Sequence, residues 1–334
     1  MRYNTLGDTG LRVSALGLGC SRIGRSVFND NRKHARDLLA AAVDAGINFF
    51  DTAPSYAYGD SERLLGEVFA ARRDRLILAT KGGFRYSSTA RYAQYLLPLV
   101  RPFRKSLNRQ RVRLKRRSRK RQDFSIEFLR DSLERSLRRL RTDYVDLYQL
   151  HSPSASVIES AEVLRFLEDL QKDGKVRFCA ASVNTAAEAQ LCLKFPVFSA
   201  LQISFNLADR APATEVFPLA RSKRVGVIVK MPLARGLLTE RHRIMTGPEP
   251  ERFIPELQHR RRRALEFLLS DNHPSVEIAS LRFILDHLDV ASVLMGTTSP
   301  EHLRNNIRAI EAPPLSEAVM QQAYTLEDLD RNHE

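Results

Sequence analysis

Four side chains that can move a proton or carry a charge stand at the ends of short apolar segments: Asp51, Tyr56, Lys81 and His151. Short apolar runs of this kind are typical of buried central strands, whose polar ends are where chemistry would take place. Taken singly, such an aspartate more often caps a helix, and such a lysine or histidine more often makes a structural ion pair or hydrogen bond. Because three predicted strands deliver all four groups, we interpret them as one acid–base site.

The elements that would position these groups alternate regularly along the chain. Apolar segments and helical patterns alternate eight times, with strands predicted near residues 14–19, 47–51, 76–80, 144–150, 176–181, 199–205, 225–229 and 291–295. Eight such units predict an α/β fold, the parallel TIM (β/α)8 barrel, in which the active site lies at the carboxyl ends of the strands. Before them, the turn Gly7-Asp8-Thr9-Gly10 predicts an N-terminal β-hairpin that plugs one end of the barrel.

Residues 126–140 illustrate the helical half of the pattern. Ser125 is the predicted N-cap, and apolar residues recur at helical spacing toward the strands, namely Leu129, Leu133, Leu137 and Leu140. We expect three arginines of this helix to face solvent: Arg135, Arg138 and Arg139.

Four segments resemble those of the aldo-keto reductases, in that family's order and spacing: DTAPSYAYGDSE (51–62), ILATKGG (77–83), LRDSLERSLRRLRTDYVDLYQLH (129–151) and MPLARGLLT (231–239). Apart from one insertion, the resemblance covers nearly the whole chain. The catalytic tetrad of the family is Asp, Tyr, Lys and His, and the five-residue step from Asp51 selects Tyr56 over Tyr58. The resemblance implies an NAD(P)H-dependent oxidoreductase that reduces an aldehyde or ketone, or oxidises the matching alcohol.

The resemblance also implies a role for each member of the tetrad. Tyr56 would act as general acid/base, giving a proton to the alkoxide that develops as hydride reaches the carbonyl carbon. A free phenol has a pKa of about 10, so we expect the Lys81 cation to bring the pKa of Tyr56 closer to the working range. Asp51 would keep Lys81 charged and oriented, and His151 would hydrogen-bond the carbonyl oxygen or help to pass the proton.

Contacts to the cofactor are implied by the resemblance, although several positions depart from the family's pattern. Ser182 carries over as a contact to the nicotinamide amide, whereas the family's adjacent asparagine is displaced by one position, to Asn184. Gln202 matches the other amide contact, although a buried glutamine bonded to backbone would look the same in sequence. Lys230 stands where many members stack an aromatic ring, and we expect it to contact the pyrophosphate instead. The other implied contacts are Leu233, Gly236, Gly296, Thr298, His302 and Asn306.

The choice of nicotinamide cofactor is read from the segment after the last strand. Ser299-Pro300 opens a predicted helix whose free amides suit a phosphate. Many members hold the 2′-phosphate of NADP with a lysine and an arginine, and here those positions are Gly296 and His302. By resemblance we expect NADP(H) in preference to NAD(H), while the loss of both cations weighs against that preference. The chain has no Gly-x-Gly-x-x-Gly after a strand, which excludes a Rossmann-type cofactor site.

A long basic insertion interrupts the third unit of what we otherwise predict to be one barrel domain over residues 1–334. Residues 85–122 contain 14 lysines and arginines and no acidic residue, and they carry the whole formal charge of +14 because the other 39 basic residues match the 39 acidic ones in number. We expect a solvated, disordered loop. The alternatives are contact with an anionic membrane surface, with an acidic protein or with nucleic acid, the last disfavoured because no aromatic residue follows Phe103 in the basic run. The loop would also project from the catalytic face, where it could attract anionic substrates.

The composition narrows the class of protein further. Three cysteines without metal-ligand spacing predict a reduced, cytoplasmic chain without a metal site: Cys20, Cys179 and Cys192. No apolar stretch is long enough to cross a bilayer, so a membrane contact would be peripheral. An alternative function is a cofactor-binding regulatory subunit resembling the β subunits of potassium channels, with slow turnover and a partner or membrane contact through the insertion. The sequence leaves the substrate and the oligomeric state open.

Overall fold

The computed structural model describes residues 1–24, 32–85, 121–242, 244, 254–326 and 329. Its strands are β1 (Tyr3–Thr5), β2 (Arg12–Ser14), β3 (Leu16–Gly19), β4 (Phe49–Asp51), β5 (Ile77–Gly82), β6 (Phe84–Arg85), β7 (Arg121–Gln122), β8 (Val145–His151), β9 (Val176–Ser182), β10 (Phe198–Ser204), β11 (Gly226–Lys230) and β12 (Val290–Met295). The strands β3, β4, β5, β8, β9, β10, β11 and β12 close into one barrel in chain order. All neighbouring barrel strands pair in parallel, which confirms the predicted TIM barrel.

Helices follow the barrel strands and cover the outside of the sheet. Their bounds are α1 (Arg32–Asp44), α2 (Asp60–Phe69), α3 (Ile126–Leu140), α4 (Ala155–Ile158), α5 (Ala161–Lys172), α6 (Ala186–Cys192), α7 (Pro212–Glu215), α8 (Phe217–Ser222), α9 (Pro255–Leu265), α10 (Val276–Leu285), α11 (Pro300–Glu311) and α12 (Glu317–Thr325). Within the described part of the chain, no helix is both long and apolar enough to span a bilayer.

The N-terminal hairpin closes the end of the barrel opposite the strand ends named above. Strands β1 and β2 pair antiparallel, as predicted. The hairpin's Leu6, Leu11 and Val13 are buried in one cluster with inward-facing residues of the barrel strands, such as Leu147 and Ile228. Because apolar residues fill this end of the barrel, an active site can form only at the opposite end, where the strands have their carboxyl ends.

Helix α3 has the predicted bounds, but one of its predicted solvent-facing residues is buried. Ser125 occupies the N-cap position, where its hydroxyl donates to Asp123 Oδ1 at 2.8 Å and makes no cap to the helix backbone. Arg135 is half-buried and Arg138 is exposed, whereas Arg139 is 8% exposed and donates to Glu62 of α2 at 2.6 Å. The expectation for Arg139 was wrong because its buried acidic partner comes from a different helix.

The two ends of the basic insertion come together beside the barrel. Strands β6 and β7 pair antiparallel, with Phe84 opposite Gln122. Gln122 Nε2 donates to the carbonyl of Ser152 at 2.7 Å, and the Phe84 ring meets the ring of His151 edge-on with centroids 4.6 Å apart. The insertion is therefore rooted next to a predicted catalytic residue. Residues 86–120, to which most of our interpretation of the insertion refers, lie outside the described residues.

Candidate active site

The strand ends bring the predicted acid–base residues to one face of the barrel. Asp51 and His151 are the last residues of β4 and β8, and Lys81 is the penultimate residue of β5. Tyr56 lies five residues beyond Asp51, at the start of the short 3-10 turn Tyr56–Gly59. Since all these strands run in parallel, their ends share the carboxyl face, where TIM-barrel active sites are built.

Lys81 is the centre of the cluster. Its side chain is 1% exposed, and its ammonium donates to Asp51 Oδ2 at 2.5 Å, to the Tyr56 hydroxyl at 3.2 Å and to the carbonyl of Thr52 at 3.0 Å. A lysine ammonium has three donor hydrogens, so these acceptors satisfy all of them. The Lys81 nitrogen also lies 4.9 Å from the centroid of the Tyr56 ring. The geometry therefore joins phenol, ammonium and carboxylate in one chain.

The turn that presents Tyr56 adopts an uncommon backbone conformation. Ala57 and Tyr58 have φ of 47° and 54°, in the left-handed region that residues with a Cβ rarely adopt. Two such residues in succession cost roughly 1 kcal/mol or more each, and they persist only where the surrounding structure holds them. Here the turn leads directly into α2, whose first turn is buried at Asp60, Ser61 and Glu62. The turn fixes where the phenol stands.

The balance of burial and charge at Tyr56 differs from the expectation. Burial raises the pKa of the Tyr56 hydroxyl above its ordinary value, and the opposing effect of the nearby Lys81 ammonium does not cancel it. Burial alone would lower the pKa of Lys81, but the Asp51 carboxylate and Tyr56 outweigh it, so the pKa of Lys81 is raised. Lys81 therefore acts on the pKa of Tyr56 in the expected direction, but desolvation of the phenolate exceeds the stabilisation that one cation supplies, so the net shift is upward.

Two carboxamides hold the second oxygen of Asp51. Gln149 Nε2 and Gln202 Nε2 donate to Asp51 Oδ1 at 2.7 and 2.9 Å, and all three side chains are buried. Gln149 is a site residue that the sequence analysis missed. Its signal was present in the sequence: it is a polar residue two positions before His151 in the same predicted strand, so both side chains point to the same face. Among the described residues, the buried Oε1 of Gln149 has no hydrogen-bond partner.

His151 stands at the edge of the cluster. It is half-buried, and its ring meets the Tyr56 ring edge-on with centroids 6.0 Å apart. The side chain is thus next to the phenol on one side and to Phe84 on the other. An imidazole in this position can offer a hydrogen bond to an atom that also contacts the Tyr56 hydroxyl.

The first group of predicted cofactor contacts continues the same network. The hydroxyl of Ser182 donates to Gln202 Oε1 at 2.7 Å, and the ammonium of Lys230 donates to Ser182 Oγ at 3.2 Å and to Asn184 Oδ1 at 3.3 Å. Strand register accounts for this arrangement, because Ser182 pairs with both His151 and Gln202 across its two neighbouring strands. The ammonium of Lys230 therefore lies against two of the predicted nicotinamide-amide contacts, Ser182 at the end of β9 and Asn184 two residues beyond it.

The second group of predicted cofactor contacts lies on two loops and one helix. Leu233 precedes the turn Ala234–Gly236, where Gly236 has φ of 109°. The remaining members follow β12: Gly296, Thr298 and His302 are exposed and Asn306 is half-buried. Within the described ranges, no hydrogen bond joins this group to Ser182 or Lys230. Helix α11 begins at Pro300 as predicted, and the Ser299 hydroxyl accepts from the amides of Glu301 and His302 at 3.2 and 3.4 Å.

Comparison with known proteins identifies the family. The model of the aldo/keto reductase family matches residues 15–328. The chain belongs to the aldo/keto reductase family. Among solved structures, this aldo-keto reductase resembles the holo form of aldo-keto reductase AKR11C1 from Bacillus halodurans, with a TM-score of 0.76, 28% identity, and coverage of 100% of this chain and 99% of that one. Its strand order and N-terminal hairpin agree with that family's barrel.

Two curated relatives have similar coverage. This aldo-keto reductase is 29% identical to the uncharacterized oxidoreductase YqkF of Bacillus subtilis, over 100% of this chain and 99% of the relative. It is 28% identical to the NADH-specific methylglyoxal reductase of Escherichia coli, over 93% of this chain and 94% of the relative. Membership makes the protein an NAD(P)-dependent oxidoreductase that acts on carbonyl groups.

The residues at the barrel mouth fit a nicotinamide cofactor. A carboxamide needs both donors and acceptors, and Ser182, Asn184 and Gln202 offer hydroxyl and amide groups at adjoining positions. Lys230 adds a positive charge that suits an anionic dinucleotide. After β12, a Cβ built on Gly296 would meet nothing within 4 Å, so the chain borders open space there. The donor set and the open backbone are therefore compatible with the cofactor that the family uses.

Proposed function

We propose that this protein reduces a small aldehyde or ketone with a nicotinamide cofactor, and that Tyr56 donates the proton to the carbonyl oxygen. The observation that carries the proposal is the chain from the Tyr56 hydroxyl through Lys81 to Asp51, with separations of 3.2 and 2.5 Å. Many structural ion pairs join a lysine to an aspartate. A phenol as the third member, at the mouth of a barrel, is what acid–base catalysis needs.

The protonation states favour donation. With its pKa raised by burial, Tyr56 keeps its proton at neutral pH. When bound, the nicotinamide supplies the hydride that reduces the carbonyl carbon. The oxygen then gains negative charge and accepts the proton of Tyr56, which leaves a phenolate 3.2 Å from the Lys81 ammonium. Attraction between two unit charges at this distance is on the order of 5 kcal/mol at an effective dielectric of about 20.

The other residues keep this proton donor ready. Asp51 holds Lys81 charged through Oδ2, while Gln149 and Gln202 fix Oδ1 so that the carboxylate cannot rotate away. His151, edge-on to the Tyr56 ring, donates a hydrogen bond to the same carbonyl oxygen and so orients it toward the phenol. In the reverse direction, the phenolate of Tyr56 would take the proton of an alcohol.

We propose Ser182, Asn184 and Gln202 as contacts of the nicotinamide amide. The loops and helix after β11 and β12 would hold the rest of the cofactor through Leu233, Gly236, Gly296, Thr298, His302 and Asn306. NADP(H) stays our predicted cofactor from the family resemblance, but the E. coli relative is named as NADH-specific. Neither Gly296 nor His302 supplies the fixed charge that a 2′-phosphate would need.

A regulatory subunit is the less favoured function, because the relatives are named as oxidoreductases and reductases. A membrane, acidic-partner or substrate-attracting role for residues 85–122 stays a separate prediction, which rests on their charge. Equal binding of anionic vesicles by the full chain and by a chain lacking 86–120 would exclude the membrane role. A reduction rate with the same salt dependence for charged and neutral aldehydes would exclude the substrate-attracting role.

Oxidation of the cofactor in the presence of an aromatic aldehyde tests the proposed function. We expect turnover by the wild-type protein, followed by absorbance with NADPH and separately with NADH. Tyr56→Phe should abolish it, and Tyr58→Phe, two residues along the same turn, is the matched control and should retain it. Cofactor binding without turnover by the wild-type protein would refute the proposed reaction and restore the regulatory interpretation. Equal loss in both variants would instead indicate damage to the turn.

A further inference from the structure

Lys230 is a second lysine at the barrel mouth, and its ammonium is hydrogen-bonded to the polar network at Ser182. It ends β11, and its ammonium contacts Ser182 Oγ and Asn184 Oδ1 at 3.2 and 3.3 Å. From Ser182 an unbroken series of hydrogen bonds runs through Gln202 and Asp51 to Lys81 and Tyr56. Lys230 is half-buried, so its charge is only partly screened by solvent.

We infer that Lys230 makes the protein discriminate between the two redox states of its cofactor, binding the reduced form in preference to the oxidised form. The inference rests on the proposed function, because the hydride must be delivered to a carbonyl whose oxygen is within hydrogen-bond reach of Tyr56. That requirement brings the nicotinamide ring to the strand ends that carry Lys81 and Lys230.

The charge of the ring separates the two redox states. The oxidised nicotinamide ring carries one positive charge, and the reduced ring carries none, while the phosphates and the adenosine are identical in both. An ammonium near the ring therefore repels only the oxidised form. Any attraction between Lys230 and the cofactor's phosphates acts on both forms equally and cancels in the ratio of their dissociation constants. A positively charged Lys230 thus favours binding of the reduced cofactor before the reaction and release of the oxidised cofactor after it.

The discrimination is also expected to depend on pH. Burial lowers the pKa of Lys230 to about 8, an effect that Lys81 reinforces and that Asp51 and Glu188 oppose. Ser182 and Asn184, which contact the ammonium directly, do not titrate in this range. Lys230 is charged below about pH 8 and loses its charge above it, so the preference for the reduced form should be present at pH 7 and decline by pH 9. The 2′-phosphate of NADP does not disturb the comparison, because both redox states carry it.

From the sequence we expect Lys230 to contact the pyrophosphate of the cofactor, and that position predicts a different result. A lysine that contacts the pyrophosphate would strengthen the binding of both redox states, and its removal would weaken both equally. Its hydrogen bonds to the predicted amide contacts Ser182 and Asn184 favour a position at the ring end of the cofactor. Replacing Lys230 distinguishes a position at the nicotinamide ring from one at the pyrophosphate. The ratio of the dissociation constants of the oxidised and reduced cofactor changes only if the lysine lies near the ring.

Calorimetric titration of the full-length protein with NADPH and with NADP⁺, at pH 7 and pH 9, tests the inference without any turnover. In Lys230→Met at pH 7, we expect the ratio of oxidised to reduced dissociation constants to fall about tenfold, which corresponds to about 1.4 kcal/mol. The wild-type ratio should fall in the same direction between pH 7 and pH 9. The arginine in Lys230→Arg is charged at both pH 7 and pH 9, so the ratio of dissociation constants in this variant should change little with pH. This variant separates the effect of charge from that of shape. Lys223→Met, an exposed lysine outside the site, is the control and should match the wild type.

Three results would overturn the inference. Equal weakening of both forms in Lys230→Met would assign the lysine to the phosphates. A wild-type ratio that does not change between pH 7 and pH 9 would refute the role of its charge, even if Lys230→Met failed to fold. Failure of the wild-type protein to bind either form would refute the proposed function itself, and this inference with it.

Discussion

Replacing Asp51 by asparagine tests the electrostatics of the site most severely. The two oxygens of Asp51 accept three hydrogen bonds, from Lys81 on Oδ2 and from Gln149 and Gln202 on Oδ1. An asparagine of the same shape must turn its amide toward one of these two sets of donors. In either orientation a donor meets a donor, and Lys81, which is 1% exposed, loses its counter-charge.

The size of the effect follows from the burial of the pair. Removing one partner of a buried ion pair costs about 3–5 kcal/mol, because a charge is left uncompensated. Lys81 can relieve part of that cost by losing its proton, since burial lowers its pKa and Asp51 is the largest effect that raises it. In Asp51→Asn the folded-state pKa of Lys81 should therefore lie below its unfolded value. The unfolded chain then binds more protons, so the stability of the variant should increase as pH rises from 6 to 9.

Urea denaturation at pH 6 and pH 9 measures both effects. We expect Asp51→Asn to lose about 3–5 kcal/mol at pH 6 and less at pH 9, and its turnover number to fall on the order of 10²–10³-fold, as when one group that stabilises a transition-state charge is removed. Asp44→Asn, at an exposed position near the end of α1, is the matched control and should stay within about 0.5 kcal/mol of the wild type. A loss below 1 kcal/mol at pH 6, or a loss that grows with pH, would refute the assignment of Asp51 as the counter-charge of Lys81.

Three further predictions concern the surroundings of this chain. Arg139→Met should destabilise the protein by about 3–5 kcal/mol in denaturant titration, because among the described residues it leaves the buried carboxylate of Glu62 with the Thr80 hydroxyl as its one side-chain partner. Adding Glu62→Gln should recover part of that loss, and an unchanged midpoint in Arg139→Met would contradict the burial of the pair. Gln149→Leu removes one hydrogen-bond donor to Asp51, so the turnover number of this variant should fall about tenfold, while its cofactor affinity measured by calorimetry stays within twofold of the wild type. A loss of cofactor affinity without a loss of turnover number would place Gln149 in cofactor binding. Because the pKa of Tyr56 is raised, the rate of carbonyl reduction in steady-state assays should stay level through neutral pH and fall only as the phenol ionises in alkali. The rate of alcohol oxidation should rise over that alkaline range. A reduction rate that already declines before the pH has risen to 8 would require a different proton donor.

The barrel and the acid–base cluster were predictable because their signals are local. Strands buried on both faces appear as unbroken apolar runs, and all eight predicted strands lie within about two residues of those observed. Parallel strands share a carboxyl face, so residues such as Asp51 and Lys81 could be expected to meet although they are 30 positions apart. Helix α3 was predictable for the same reason, from the repeat of its leucines.

The errors concern residues whose partners come from distant parts of the chain. Arg139 lies beside Glu62, 77 positions away, and the helical repeat gave no sign of that partner. Likewise, the sign of the pKa shift of Tyr56 depends on how completely the phenol is buried relative to its single cation. The position of the Lys230 ammonium depends on Ser182 and Asn184, which lie at the end of β9 and just beyond it, and its expected contact with the pyrophosphate stays a prediction. Gln149 could have been found from strand alternation alone, because it shares the face of His151.

The most direct measurement of the central claim is a single turnover in the stopped-flow instrument, with wild-type protein and Tyr56→Phe each saturated with reduced cofactor and mixed with excess aldehyde. The proposed proton transfer from Tyr56, supported by Lys81 and Asp51, predicts that the variant binds the cofactor within about threefold of the wild-type affinity while its rate of cofactor oxidation falls by about 10³-fold or more. A variant that oxidises the cofactor at a rate within tenfold of the wild type would show that the proton comes from elsewhere and would contradict the mechanism.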